Sequence, residues 1–198
     1  ACLVTGATGF IGGLLVGRLL ERGGPVYVLV RKGSIAKLDA LRPRWGAAAA
    51  RVIPVAGDLA KPKLGLSPAA LARLRPHVDH FFHLAAVYDL AAPAAQVEKA
   101  NVEGTRHALE AARAMHARRF HHMSSIAAAG LYHGVFREDM FEEAEGLEHP
   151  YFRSKHEAEA LVRAERGIRW RIYRPGIVVG DSHSGEIDKI DGPYYFFE

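Results

Sequence analysis

Leu3-Val4-Thr5-Gly6-Ala7-Thr8-Gly9-Phe10-Ile11-Gly12 is the stretch that decides the fold. A short apolar strand runs into glycines three apart, and helical spacing then continues from about Ile11 to Glu21. In a strand–turn–helix unit each glycine has a separate role. Gly6 permits the tight turn, Gly9 lets backbone approach a pyrophosphate, and Gly12 lets helix and strand pack closely. The helix start points unpaired N–H groups at negative charge. Thr5 to Gly12, with Thr8, Phe10 and Ile11 between the glycines, is therefore the expected dinucleotide cradle.

Five further apolar runs repeat the alternation of strand and helix. They are Val26–Val30, Val52–Val55, His80–Leu84, Arg119–Met123 and Trp170–Tyr173, with helices expected near Ser67–Leu74, Ala95–Met115 and Tyr151–Glu165. Runs that are apolar throughout read as strands buried on both faces, so helices must cover both. The expected fold is α/β, a doubly wound parallel sheet. Ala47–Ala50 reads as a brief solvated turn, and the Gly-, Ser- and Asp-rich segment from Gly180 to Pro193 as a loop leading into a second unit.

Composition agrees with a globular chain. Of 198 residues 49% are hydrophobic and 24% charged, and the single Cys2 excludes an internal disulfide framework and suits a reducing, cytoplasmic setting. No window approaches the roughly 20 apolar residues of a membrane span. The net charge of +4 is dispersed among carboxylates, which favours a small phosphate-bearing ligand over nucleic acid. There is no Cys/His cluster with zinc-ligand spacing, so no metal is expected.

The second strand says which dinucleotide. An NAD-preferring site places a carboxylate near the ribose 2′-hydroxyl, whereas Arg31, Lys32 and Ser34 follow Val30 here, and cations suit a 2′-phosphate. NADP(H) is the expected cofactor. Asp58 and Leu59, after the third strand, are placed to meet adenine, or Asp58 caps the next turn. Ala85 and Ala86, after the fourth, are small residues where backbone passes the cofactor. His83 reads as a hydrogen-bonded core histidine.

Tyr151 and Lys155 lie four apart on one helix face, with Pro150 suited to the helix start. A nearby ammonium favours the phenolate, so Lys155 is expected to pull the Tyr151 phenol toward working pH. Ser124 or Ser125, at the C-terminal end of the fifth strand, can donate to a substrate oxygen also held by Tyr151. Asn101 lines a proton-relay water or caps a kink beside Gly104. Gly180–Gly185 superficially resembles a nucleophile elbow, but Ser184 stands where its second Gly belongs. The histidine pairs His80/His83 and His121/His122 read as structural, and the second pair cannot chelate together because adjacent strand residues face opposite ways.

These motifs resemble, in order and over essentially the whole chain, the extended short-chain dehydrogenase/reductase superfamily: Thr5 to Gly12, Asp58-Leu59, His83 to Ala86, Asn101 to Thr105, Ser124-Ser125, Tyr151 to Lys155 and Tyr173 to Gly176. The resemblance implies that Ser125, five residues before Gly130, is the catalytic serine, and that Lys155 also bonds the nicotinamide ribose. Pro175 and Ile177 would lie beside the nicotinamide. Within the superfamily Val26–Arg31, His121–Gly130, Phe136–Phe141 and Asp188–Phe197 look most like bacterial fatty acyl-CoA reductases of the thioester-reductase type. That implies hydride transfer from NADPH to an acyl thioester, giving aldehyde or alcohol. Ala127-Ala128-Ala129 departs from the sugar-nucleotide epimerases and dehydratases, the alternative enzymes. A non-catalytic dinucleotide-binding module is the third reading, which the intact Tyr151 and Lys155 oppose. The expected organisation is a cofactor domain over 1–179 and the start of a substrate-binding subdomain over 180–198, with most of it past Glu198. Expected partners are the thioester and, as open options, a carrier protein, a membrane surface or a second copy.

Overall fold

The computed structural model describes residues 1–88, 92–182, 185 and 187. Its six strands are β1 (Cys2–Thr5), β2 (Val26–Val30), β3 (Val52–Ala56), β4 (His80–His83), β5 (Arg119–Met123) and β6 (Arg169–Tyr173). They form one parallel sheet in the order β3-β2-β1-β4-β5-β6. The order reverses between β1 and β4. Open α/β sheets bind ligands in the crevice at the C-terminal strand ends of such a switch point.

The helices are α1 (Phe10–Leu20), α2 (Ile35–Leu41), α3 (Pro68–Leu74), α4 (Ala94–Glu98), α5 (Gly104–Ala114) and α6 (Pro150–Arg163). Strand alternation builds two cores from neighbouring residues. Leu3, Phe81 and Phe120 join Leu71, Leu109, Met115 and Val162 on one face, while Val4, Val28 and Val30 join Val16, Leu20 and Leu38 on the other. The doubly wound expectation holds, although the two edge strands are more open than the inner ones: Ile53 of β3 is 39% exposed, and β6 is exposed over Arg169–Arg171. Pro54 is tolerated because β3 is an edge strand.

Three local expectations change. The short α2 lies where no helix was foreseen; only Leu38 of its seven residues is buried, too little to leave a periodic signal. Ala47–Ala50 is part of a 3₁₀ segment over Arg42–Arg51, and Ala49 is buried rather than solvated. The expected helix over Ala95–Met115 is interrupted by a π turn at Lys99–Glu103, centred on Asn101. Among the described residues no helix is long and apolar enough to cross a membrane, and no group of three His, Cys, Asp or Glu could hold a metal. Most of the segment 180–198, including Ser184 of the elbow-like stretch and Asp188–Phe197, lies outside the described residues.

Candidate active site

The glycine turn is shaped by close backbone packing. Gly6 has φ +74°, and a Cβ there would sit 2.6 Å from the Ala85 nitrogen, so the turn lies directly against the chain leaving β4. A Cβ on Gly12 would strike the Gly6 carbonyl oxygen and lie 2.8 Å from Ala7 Cα. Gly9, exposed and extended, precedes α1 with no side-chain cap, and the first helical turn holds no acid. An uncapped helix start without carboxylates fits a pyrophosphate. Thr8, Phe10 and Ile11 are half-buried around it.

Arg31 and Lys32 are exposed at the end of β2, and Lys32–Ser34 form a single 3₁₀ turn closed by Ser34 N–H donating to the Arg31 carbonyl at 2.8 Å. The pairing of Thr5 with Leu29 brings this turn beside the glycines, and no carboxylate lies in it. Asp58 uses Oδ1 to accept from Ala60 N–H at 3.0 Å, as in the capping reading, while Leu59 packs partly into the core. Ala85 is half-buried and Ala86 exposed on the path past Gly6.

Behind that path runs a directional chain of hydrogen bonds. Ala85 N–H donates to Thr5 Oγ1 (3.3 Å), whose hydroxyl donates to His83 Nδ1 (2.8 Å). His83 Nε2–H donates to Thr105 Oγ1 (3.0 Å), and that hydroxyl donates to the Asn101 carbonyl (2.7 Å). Each hydroxyl oxygen gives one proton and receives one, which requires a neutral imidazole. Burial, with the Lys155 charge second, lowers His83 to about 3. His83 is thus the satisfied core histidine expected from the sequence. The Asn101 side chain accepts from Val87 N–H (2.7 Å) and donates to Val87 O (2.9 Å) and Ser154 Oγ (3.0 Å). It sits at the π turn, as in the kink reading, and clamps the segment after β4 to α6.

α6 begins where expected. His149 accepts from Tyr151 N–H, and Pro150 occupies the first turn, so the positive end of the helix lies at Tyr151. The Ser125 hydroxyl lies close enough to the Tyr151 phenol to lower it, and its Oγ accepts from Ala127 N–H at 3.1 Å. Lys155 is 4% exposed and donates from Nζ to the Met123 carbonyl at 2.8 Å. Burial lowers it to about 8, against the opposing pull of Glu159. One expectation is corrected here. Burial raises the Tyr151 phenol and only the Ser125 hydrogen bond lowers it, with no part played by Lys155. Helical spacing brings the two Cβ atoms together, but the ammonium is drawn away to β5. Tyr151 is held as a neutral acid.

The end of β6 completes the crevice. Ile126 N–H donates to the Pro175 carbonyl at 3.1 Å, Ser124 N–H to the Tyr173 carbonyl at 2.8 Å, and Ile177 is 73% exposed. Ser124, the structural hydroxyl, donates to Glu159 Oε2 at 2.7 Å. Glu159 escaped the sequence reading. Its signal was a carboxylate one turn past Lys155 on the same helix face. His121 bonds His80 (2.9 Å) and the Tyr173 hydroxyl (2.8 Å), while both ring nitrogens of the buried His122 lack a partner.

The sheet order, the uncapped glycine turn and the Ser125, Tyr151 and Lys155 cluster define an extended short-chain dehydrogenase/reductase with an NAD(P)-binding site. Residues 4–198 match the male sterility protein family, and the chain belongs to that family. It is 38% identical over 207 residues to one of the proteins that make up the linear gramicidin synthase of Brevibacillus parabrevis, covering 96% of this chain and 4% of that protein. It superposes with TM-score 0.82 and 33% identity on the terminal R domain from the myxalamid PKS-NRPS biosynthetic pathway, covering 93% of this chain and 50% of that one. The NAD-bound dTDP-glucose 4,6-dehydratase DesIV of Streptomyces venezuelae gives TM-score 0.69 and 30% identity, over 87% of this chain and 54% of that one. The chain thus spans about half the length of these solved structures.

Proposed function

We propose that the chain forms the cofactor-binding and catalytic part of an NADPH-dependent reductase that converts an acyl thioester, carried on a carrier protein or coenzyme A, to an aldehyde and onward to an alcohol. The observation that carries this reading is the neutral Tyr151 phenol beside Ser125 at the end of β5, with Lys155 buried on the Met123 carbonyl of the same strand. NADPH, when bound, supplies the hydride that adds to the carbonyl carbon. Ser125 and Tyr151 orient the carbonyl oxygen, and Tyr151 gives it a proton as charge develops. The thiol then leaves the thiohemiacetal, and the aldehyde remains. Arg31, Lys32 and Ser34 would hold the 2′-phosphate, Gly6, Gly9, Gly12 and the start of α1 the pyrophosphate, and Asp58 and Leu59 the adenine. Ala85, Ala86, Pro175 and Ile177 would line the ribose and nicotinamide, and Lys155 would bond the ribose. A substrate-binding subdomain starting in 180–198 would complete the site.

Similarity to the terminal R domain supports the thioester substrate, because that superposition is the tighter one, at TM-score 0.82 against 0.69 for the sugar-nucleotide dehydratase. The test follows NADPH absorbance with the intact protein and three substrates: a phosphopantetheine-bound acyl thioester, a long-chain acyl-CoA and a UDP-sugar. Oxidation with a thioester and none with the sugar is expected. Sugar turnover without net NADPH loss would replace this reading with the epimerase one.

A further inference from the structure

We propose that Glu159 is a positioning residue of the active centre: its buried carboxylate ties the helix bearing Tyr151 and Lys155 to the strand end bearing Ser125 and to the segment after β6. The proposal rests on the reading of Ser125, Tyr151 and Lys155 as the reacting groups. Glu159 is fully buried, and its carboxylate joins α6 to the end of β5 and to the segment after β6. Ser124, next to Ser125, donates its hydroxyl at 2.7 Å; Arg163 of α6 donates Nε at 2.9 Å; Arg174, one residue past β6, donates Nε at 3.1 Å and a terminal nitrogen at 2.5 Å. The loop between Gly130 and His149 is held one step out, through the two arginines. Arg174 donates to the carbonyls of Arg137 (3.2 Å) and Met140 (2.8 Å) and lies 5.1 Å from the Phe136 ring centre. Arg163 lies 4.6 Å from the Phe141 ring, which stacks at 4.1 Å on His156.

Stability alone does not explain this cluster. A buried ion pair carries a desolvation cost that apolar residues of similar volume avoid, so what this one contributes is geometry. The same carboxylate is the counter-charge of Lys155. The groups facing Lys155 are His83 from β4 and His122 from β5, both neutral through burial, and Glu159 one turn along its own helix. Around Glu159 stand Ser124, Arg163, Arg174 and Lys155. Removing its charge leaves three cations crowded together.

The test compares Glu159→Gln, Glu159→Asp and Ser124→Ala in the intact protein, with Glu165→Gln as control. Glu165 is also buried and ion-paired, to Arg113 at 2.5 Å, but its partners lie away from Ser125 and Tyr151. Glu159→Gln is expected to lower kcat about 10- to 100-fold through misplacement of the reacting groups. KM for NADPH stays within about twofold if only positioning is lost. The alkaline limb of its pH–rate profile moves to lower pH, as Lys155 loses its counter-charge. Glu159→Asp returns the limb to its wild-type position, Ser124→Ala lowers kcat less, and Glu165→Gln changes thermal stability alone. An unmoved limb in Glu159→Gln, or a kcat loss that only tracks the folded fraction, overturns the proposal. A wild-type protein indifferent to Tyr151→Phe instead overturns the reading beneath it.

Discussion

Lys155 Nζ donates to the carbonyl oxygen of Met123 at 2.8 Å, so the helix of the proposed acid is pinned to the last residue of β5, immediately ahead of Ser124 and Ser125. The ammonium is buried and lowered to about 8, by desolvation first. Its charge is therefore lost as pH rises through about 8. A rate that needs the ammonium should fall above that pH. Lys155→Met should abolish the limb and cost about 10²-fold or more in kcat, whereas Lys155→Arg should retain charge without the limb. Steady-state pH profiles of the three proteins check this.

Tyr151 is raised by burial and so remains protonated across the working range. Tyr151→Phe removes the donated proton and leaves the ring packing nearly intact. Its kcat should fall about 10²- to 10⁴-fold. NADPH affinity, read by the fluorescence of the bound nicotinamide, should stay unchanged.

His122 is buried with neither nitrogen hydrogen-bonded, and burial lowers it well below the usual histidine range. A depressed folded-state value means that the unfolded chain takes up the proton first. Stability contributed by the neutral ring is complete above about pH 6.5 and declines as pH falls below it. His83, lowered to about 3, and His121, lowered to about 4, act in the same direction. The protein should lose stability steeply between about pH 6.5 and 4, each histidine adding up to about 1.4 kcal/mol per pH unit. His122→Phe should raise stability by about 1–3 kcal/mol at neutral pH by removing an unsatisfied buried polar group, and by more at pH 5. Urea unfolding at the two pH values measures both.

Arg31 and Lys32 stand exposed beside the glycine turn with no carboxylate in their turn. Arg31→Ala should weaken NADPH binding by about 1.5–3 kcal/mol, the worth of a charge-assisted hydrogen bond, and leave NADH binding nearly unchanged. Comparing the two KM values in wild type and variant separates a 2′-phosphate contact from a solvated strand end.

Much of this organisation was legible because local patterns carried it. Glycines three apart gain their meaning from lying between a strand and a helix, and the apolar runs alternate with helical spacing, so the sheet and its ligand edge could be read directly. What escaped depends on long-range contacts. Strand alternation sends Ser124 and Ser125 to different sides without saying which side holds a partner; only the folded chain shows Ser124 on Glu159 and Ser125 on Tyr151. Glu159 left only its place one turn past Lys155 as a local signal, because its partners Ser124 and Arg174 are 35 and 15 residues away in sequence. The spacing of Tyr151 and Lys155 was read correctly, but their electrostatics were not, since a four-carbon stem lets the ammonium choose Met123. The π turn at Asn101 follows from side-chain bonds to Val87 and Ser154 that no helical pattern encodes.

The central claim is that hydride passes from NADPH to a thioester carbonyl that Ser125 and Tyr151 hold. Its most direct test supplies the intact protein with NADPH deuterated at C4 and an acyl group on a phosphopantetheine thioester, and analyses the released product by mass spectrometry. One deuterium at C1 of the aldehyde, or two at C1 of the alcohol, is predicted, with product lost in Tyr151→Phe. Unlabelled acid with the deuterium still on the cofactor, or equal labelling by Tyr151→Phe, would contradict it.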